Sequence, residues 1–428
     1  MMLARAAVIM AATWSSGMAA AHPLPTPKAV STGYSNTHLP PAGWNPLVTR
    51  GPTSAPDASR ISWPAVCAAR HPAISCRNGE PSPHENSAAI IAETFMRGTG
   101  GVMGWCSTSG YTATFGGSPG SQTCQGHDTM SGVFFATSSD PAYKIHCAVY
   151  ACGSGTKGDG SDNLEGQSVH IADGSIPNLG GDGHLSIINE RANLICEFWQ
   201  AGPSPHSALR RGGSLTVGQG SCGTLSSTWD GVSGIFNAYS SNLETTRFLV
   251  RPEELLSGHI AHALYASVSN NASGHVHTWP ATFSDGACGT KSNLGVEGMV
   301  YYLSTAGYRR LMASKANRLK KTMLRVYHEY GVFDLDSSGC NPPAGNYTNF
   351  LGWDPQLWTQ YGRRNPWETI RTALASGGNP RDVSHDGDYW RMNLDLSDTG
   401  ITAADFSVLP FNDARCVVTG RCMSSDRE

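Results

Sequence analysis

The chain has 428 residues, and its 30 Lys and Arg against 33 Asp and Glu leave a net charge of −3, so nothing electrostatic points to nucleic acid or an anionic membrane as partner. Charged residues make up 15%, against roughly 25% in typical globular chains, and 49 Gly with 25 Pro favour short strands and many turns over long helices. Twelve cysteines, an even number lying between Cys67 and Cys422, read as disulfides formed in an oxidising compartment.

Met1 to Ala21 has the form of a signal peptide: Arg5 is the positive start, Ala6 to Trp14 is a short apolar run, and Ala19-Ala20-Ala21 offers a cleavage site. No later stretch approaches the ~20 apolar residues of a membrane helix. A secreted protein, extracellular or periplasmic, is therefore expected. Residues 22–60 are rich in Pro, Ser, Thr and Gly and read as a flexible leader.

Residues 61–340 are expected to form one mostly β domain, a β-sandwich or jelly roll with one long and one or two short helices. Residues 341–428 would be an extension packed on it. Short apolar or alternating runs separated by turn residues carry this reading, among them Gly132–Ala136, Lys144–Tyr150, Phe248–Val250 and Ile260–Val268. The clearest hairpin is Asp182–Gln200, with strands at His184–Ile188 and Leu194–Gln200. Alternation puts Glu197 and Trp199 on one face and Cys196 and Phe198 on the other, as if one face were core and the other a working surface. One helix is predicted over 308–330 from Tyr308, Met312, Leu319, Met323, Val326 and Tyr330, with seven basic residues on its solvated side and Gly331 as its stop. A strand follows from Val332, and a short helix starts at Pro366 with Asn365 as cap. Cys147 and Cys152, or Cys416 and Cys422, are spaced to close short loops; Asn271 and Asn346 stand in glycosylation sequons.

Glycan chemistry needs acid and base groups beside aromatic platforms. Asp182 and His184 open the hairpin, and Glu197 and Trp199 close it. An ionised Glu197 among apolar neighbours would be costly to bury, so it should face a cleft or a partner such as an Arg. Arg251 precedes Pro252-Glu-Glu254, which suits the start of a short helix. His262 lies among apolar residues, where a hydrogen-bonded core histidine competes with a general base. Gly116-Gly-Ser-Pro-Gly120 matches a nucleophile elbow, but Pro119 has no N–H for an oxyanion. Asp334-Leu-Asp336 starts like a calcium loop, yet Gly345 stands where a bidentate Glu is required. His275-Val-His277 lacks an identifiable third metal ligand, and no metal or other cofactor is expected.

An ordered set of motifs resembles one family. It runs from Trp44-Asn-Pro46, Asn86-Ser-Ala-Ala-Ile90 and Val169-His-Ile-Ala-Asp-Gly-Ser-Ile-Pro177 through Asp182-Gly-His-Leu185, Glu197-Phe-Trp-Gln-Ala201, Arg251-Pro-Glu-Glu-Leu255 and Gly258-His-Ile-Ala-His-Ala-Leu264. Pro280-Ala-Thr-Phe-Ser-Asp-Gly286, Glu297-Gly-Met299 and Tyr330-Gly-Val-Phe-Asp-Leu-Asp-Ser-Ser-Gly339 complete it. These are similar to secreted bacterial β-sandwich proteins, some of them close to polysaccharide-active proteins. The resemblance implies a jelly-roll-like sandwich and export, and brings no catalytic set.

The residues together lead to the expectation of a polysaccharide-active protein, a hydrolase or a lyase. A hydrolase would use Glu197 with Asp182. A lyase would use His184 or His262 as base, with Arg251 neutralising a uronate. Trp199 and Trp279 would hold sugar rings. A non-catalytic glycan-binding or cell-surface protein is the alternative.

Overall fold

The computed structural model describes residues 58–70, 74–95, 102–106, 130–157, 160–178, 182–202, 208–225, 239–268, 270–337, 340, 352–353, 365–377, 383–386, 389–393 and 399–409. The expected signal peptide, most of the leader, Trp44, the Gly116–Gly120 motif, Asn346, Cys416 and Cys422 lie outside the described residues.

The strands in chain order are β1 (Cys76–Arg77), β2 (Glu80–Pro81), β3 (Val102–Cys106), β4 (Met130–Phe135), β5 (Ala142–Cys147) and β6 (Ser168–His170). Then come β7 (Leu185–Asn189), β8 (Leu194–Trp199), β9 (Gly213–Val217), β10 (Gln219–Thr224), β11 (Leu264–Val268) and β12 (Val300–Leu303). The last are β13 (Val332–Ser337), β14 (Gly352–Trp353), β15 (Val383–Asp386), β16 (Tyr389–Asn393) and β17 (Phe406–Val408). The α-helices are α1 (Trp63–Ala68), α2 (Ser87–Ile90), α3 (Pro252–Ser257), α4 (Thr305–Met312), α5 (Arg318–Glu329) and α6 (Pro366–Ser376).

Two sheets position the site. A five-stranded sheet has the order β10-β8-β7-β4-β14, and a four-stranded sheet the order β11-β13-β12-β17. Three-stranded sheets β6-β5-β9 and β15-β16-β3 and the pair β1-β2 complete the set. The predicted hairpin is β7–β8, antiparallel, with Ser186 opposite Glu197. The four-stranded sheet alternates cleanly. Tyr265, Tyr302, Phe333 and Leu335 enter one apolar cluster with Phe134, Ile187 and Phe198 of the five-stranded sheet. Leu264, Ala266, Tyr301, Leu303 and Val332 enter a second cluster with α5 and α6. One face of this sheet thus meets the other sheet, and the opposite face meets helices. The fold is sheet-rich with a helical layer. Segments after residue 341 are woven into it: β14 pairs with β4, β17 with β12, and β16 with β3.

The helix predicted over 308–330 is two helices. Residues 313–317 break it, because Asn317 accepts a hydrogen bond from the Lys320 amide and so caps a new N-terminus. Several of the basic side chains are not simply solvated: Lys320 is buried, Arg310 pairs with Asp405, and Arg318 donates to the Leu256 carbonyl and Arg325 to that of Gly258, satisfying orphan carbonyls at the end of α3. Phe248–Val250, expected in a strand, instead follows from a 3-10 turn at Thr245–Phe248. Ala58–Arg60, the last residues of the expected leader, form another 3-10 turn with Ser59 buried. The starts of α3 at Pro252 and of α6 at Pro366 agree with the local signals; Asn365 accepts from the Trp367 amide.

Among the described residues, four disulfides join Cys67 to Cys76, Cys147 to Cys152, Cys196 to Cys222, and Cys288 to Cys340. The Cys196–Cys222 bond links directly opposed residues of β8 and β10. Among the described residues no helix is long and apolar enough to cross a membrane.

Candidate functional site

Glu197 is not at an open face. It is 2% exposed and holds the start of the 3-10 turn at Thr245–Phe248. Its Oε1 accepts from the Thr246 amide at 2.7 Å and from the Thr246 hydroxyl; its Oε2 accepts from the Thr245 amide at 3.2 Å. Burial, reinforced by the nearby Glu244, raises its pKa to about 7 against these bonds. The expectation of a working surface on this side of β8 is corrected. β7 and the first five residues of β8 are buried throughout, and the Thr245–Phe248 turn lies over Glu197. The near-continuous apolar runs of both strands are what a strand covered on two faces requires. The role of Glu197 here is that of a capping group for a distant turn.

A group of carboxyls with Ser240 is gathered elsewhere, from four separate stretches of chain. Ser240, partly exposed, sits with its Oγ 2.9 Å from Glu297 Oε2 and 2.9 Å from Asp336 Oδ1. A hydroxyl has one hydrogen to give, so a good bond at both contacts requires one carboxyl to carry a proton. Asp336 is partly exposed, and its other oxygen accepts from Tyr265 Oη at 2.9 Å. Burial first, then the charge of Asp285, raise the Asp336 pKa to about 7. Glu297 is fully buried and accepts from Ser284 Oγ at 3.1 Å and the Asp285 amide at 3.3 Å. Its pKa stands well above the carboxylate range, through burial and then the charges of Asp336 and Asp334.

Asp334 faces another way. It is buried, accepting from Asn271 Nδ2 at 3.1 Å, and the Tyr301 hydroxyl lies 3.5 Å away. Simple alternation would set Asp334 and Asp336 on one face of β13. The β11–β13 register jumps from Ala266↔Asp334 to Ser267↔Asp336, and this irregularity re-aims the second carboxyl. Because Asn271 is buried against Asp334, its glycosylation sequon is closed in the folded chain.

Asp182 links this group to an aromatic ledge. It accepts from Trp199 Nε1 at 2.8 Å, and its charge acts on Asp336. Asp182 and Trp199 are both partly exposed. Tyr150, 60% exposed in the loop closed by the Cys147–Cys152 disulfide, lies 5.8 Å from the Trp199 ring, centroid to centroid. Behind them His184, buried, stacks on Tyr239 at 4.0 Å, and Tyr239 meets Tyr265 edge-on at 5.3 Å. His184 is thus part of an aromatic stack between Glu197 and Asp336, both of whose charges act on Tyr239.

His262, Arg251 and Trp279 are remote from solvent, and the roles expected for them are corrected. His262 is 2% exposed, with Nδ1 2.7 Å from the Ala263 carbonyl and Nε2 3.2 Å from Glu254. Burial lowers its pKa, but Glu254 outweighs this and the net shift is upward. Arg251 is buried beside Glu253 at 4.0 Å and is also acted on by the charge of Glu254, at the start of α3. A guanidinium so placed belongs to a structural charge cluster and not to a uronate site. Trp279, joined to Pro280 by a cis peptide, is packed in the first apolar cluster and offers no open ring face to a sugar.

Of the residues expected at the site, the structure brings Asp182 and Trp199 together and leaves His184 just behind them. Asp336, Glu297 and Ser240 were not singled out as catalytic. The visible signal was Asp334-Leu-Asp336, two acids inside an apolar strand, which reads equally as a failed calcium loop. Compared with known protein families, curated proteins and solved structures, the chain matches none.

Proposed function

We propose that the protein hydrolyses a glycan, with Asp336 as the acid and Asp182 as the second carboxyl. One observation carries this: Asp336, partly exposed, shares the Ser240 hydroxyl with a buried carboxyl and keeps its proton up to about pH 7. A general acid that must protonate a leaving oxygen near neutral pH needs such a shift. Asp336 gives its proton to the glycosidic oxygen as the bond to the anomeric carbon breaks. Asp182 then accepts a proton from the attacking water or attacks the carbon itself, as the two geometries of paired-carboxyl enzymes require. Trp199 orients Asp182 through its indole N–H, and with Tyr150 it supplies a rigid surface for sugar rings. Glu297 and Ser240 act through Asp336 as positioning residues. Hydrolysis is favoured over β-elimination because the candidate base His262 and neutralising Arg251 are both buried.

The same reading takes the five- and four-stranded sheets as the two leaves of a jelly-roll-like sandwich, since side chains of both share one apolar cluster. It takes the protein to work outside the cytoplasm, in keeping with the disulfides among the described residues.

A second reading, non-catalytic glycan binding, draws on the exposure of the Tyr150–Trp199 ledge alone. Incubation with a panel of polysaccharides, read as new reducing ends, separates the two. Hydrolysis predicts products that vanish in Asp336→Asn with the circular dichroism unchanged. Retention on a glycan column with no products would establish the binder, and neither response would remove both readings.

A further inference from the structure

We infer that the glycan accepted at this site carries free amino groups, as a glucosamine-type polysaccharide does, and is neither a polyuronate nor a neutral glucan. This rests on the reading that the site handles glycans, and deepens it. The first ground is the sign of the local charge. Asp285 is exposed, Asp182 and Asp336 are partly exposed, and Glu297 and Asp334 are buried. The charged neighbours acting on Asp336 and Glu297 are themselves carboxyls: Asp285 and Asp182 on the first, Asp336, Asp334 and Asp285 on the second. Among the described residues, no Lys or Arg forms an ion pair with Asp285, Glu297, Asp334 or Asp336.

The second ground is independent of charge. The Tyr150–Trp199 ledge adjoins the carboxyls through the Trp199–Asp182 hydrogen bond. A pyranose stacked on such a ledge turns its C–H face to the rings and its substituents to the rim, where the carboxyls are. A uronate there would add a like charge beside these carboxyls. An ammonium is drawn instead to the outermost carboxyls, Asp285 and Asp182, whose charges act on Asp336, and its attraction is largest where solvent is partly excluded.

Full-length protein would be offered short oligomers of matched length built from glucosamine, N-acetylglucosamine, glucose or galacturonate, in mildly acidic buffer of low salt. Release of reducing ends and retardation in affinity electrophoresis are the readouts. The glucosamine oligomer should be preferred over the glucose oligomer by about tenfold or more, and the preference should shrink several-fold in high salt. Asp285→Asn, at an exposed position, should lower the glucosamine-to-glucose ratio several-fold. Equal or better use of the neutral, acetylated or acidic oligomer, or a ratio that neither salt nor Asp285→Asn changes, would overturn the inference and leave glycan hydrolysis standing. Failure to bind or cleave any of the oligomers or of the wider polysaccharide panel would instead overturn the reading on which it rests.

Discussion

Asp336 and Glu297, one partly exposed and one fully buried, meet at a single hydroxyl, each with a carboxyl oxygen 2.9 Å from Ser240 Oγ. Removing the outer carboxyl removes the proton that the proposed reaction uses. Asp336→Asn should cost about 10²-fold or more in turnover. Asp285→Asn removes the charge that, after burial, raises the Asp336 pKa, so Asp336 should ionise at lower pH. The alkaline limb of the activity profile should then move to lower pH. An unchanged pH profile in Asp285→Asn would sink the coupling between Asp285 and Asp336.

Glu197 is expected to be a stability residue. Glu197→Ala strips acceptors from the buried amides of Thr245 and Thr246 and should destabilise by roughly 2–4 kcal/mol. Activity per folded molecule should hold. Urea titration measures the first quantity and active-site titration the second. A stable but inactive variant would return Glu197 to the catalytic group.

Stability should fall as pH rises. The folded chain raises Glu197 from 4.5, and Asp336 from 3.8, to about 7 each, so between roughly pH 4 and 7 it binds more protons than the unfolded chain. The stabilisation from both groups is therefore complete in acid and is lost through that window. For Glu197 the shift corresponds to about 3 kcal/mol as an upper bound. His262, whose pKa is raised above 6.5, acts in the same direction: its contribution is present below 6.5 and lost as pH passes its folded value. Melting temperatures across this range check the slope, which Glu197→Gln should flatten.

Trp199→Ala should weaken glycan binding about tenfold, removing both the ring surface and the donor to Asp182. Tyr150→Ala, at a side chain 60% exposed, should weaken binding with less than about 0.5 kcal/mol lost in stability. Calorimetric titration with the best oligomer compares them. Wild-type affinity in both variants would dismiss the ledge as a sugar platform.

The double change Cys196→Ala, Cys222→Ala opens a cross-link between residues 26 apart that face each other across β8 and β10. A loss of roughly 2–4 kcal/mol is expected, read from denaturant midpoints in the non-reduced protein.

The amino-acid sequence alone determined the local pieces. The β7–β8 hairpin follows from alternation and turn residues, and α3 and α6 start at Pro252 and Pro366 because those signals act within one turn of helix. The Cys147–Cys152 loop is legible from spacing. The even cysteine count and low charge led to a disulfide-bonded, strand-rich chain. Tertiary structure alone decided which acids lie together. Glu197 looked like a surface carboxylate because nothing within β8 reveals that residues 245 and 246, far along the chain, close over it. Asp182, Ser240, Glu297 and Asp336 converge from four segments, and a register irregularity in β13 parts Asp336 from Asp334. Periodicity records which side of its own strand a residue takes; it carries no information on what another segment lays against that side, and burial and charge, which set proton affinity, depend on that.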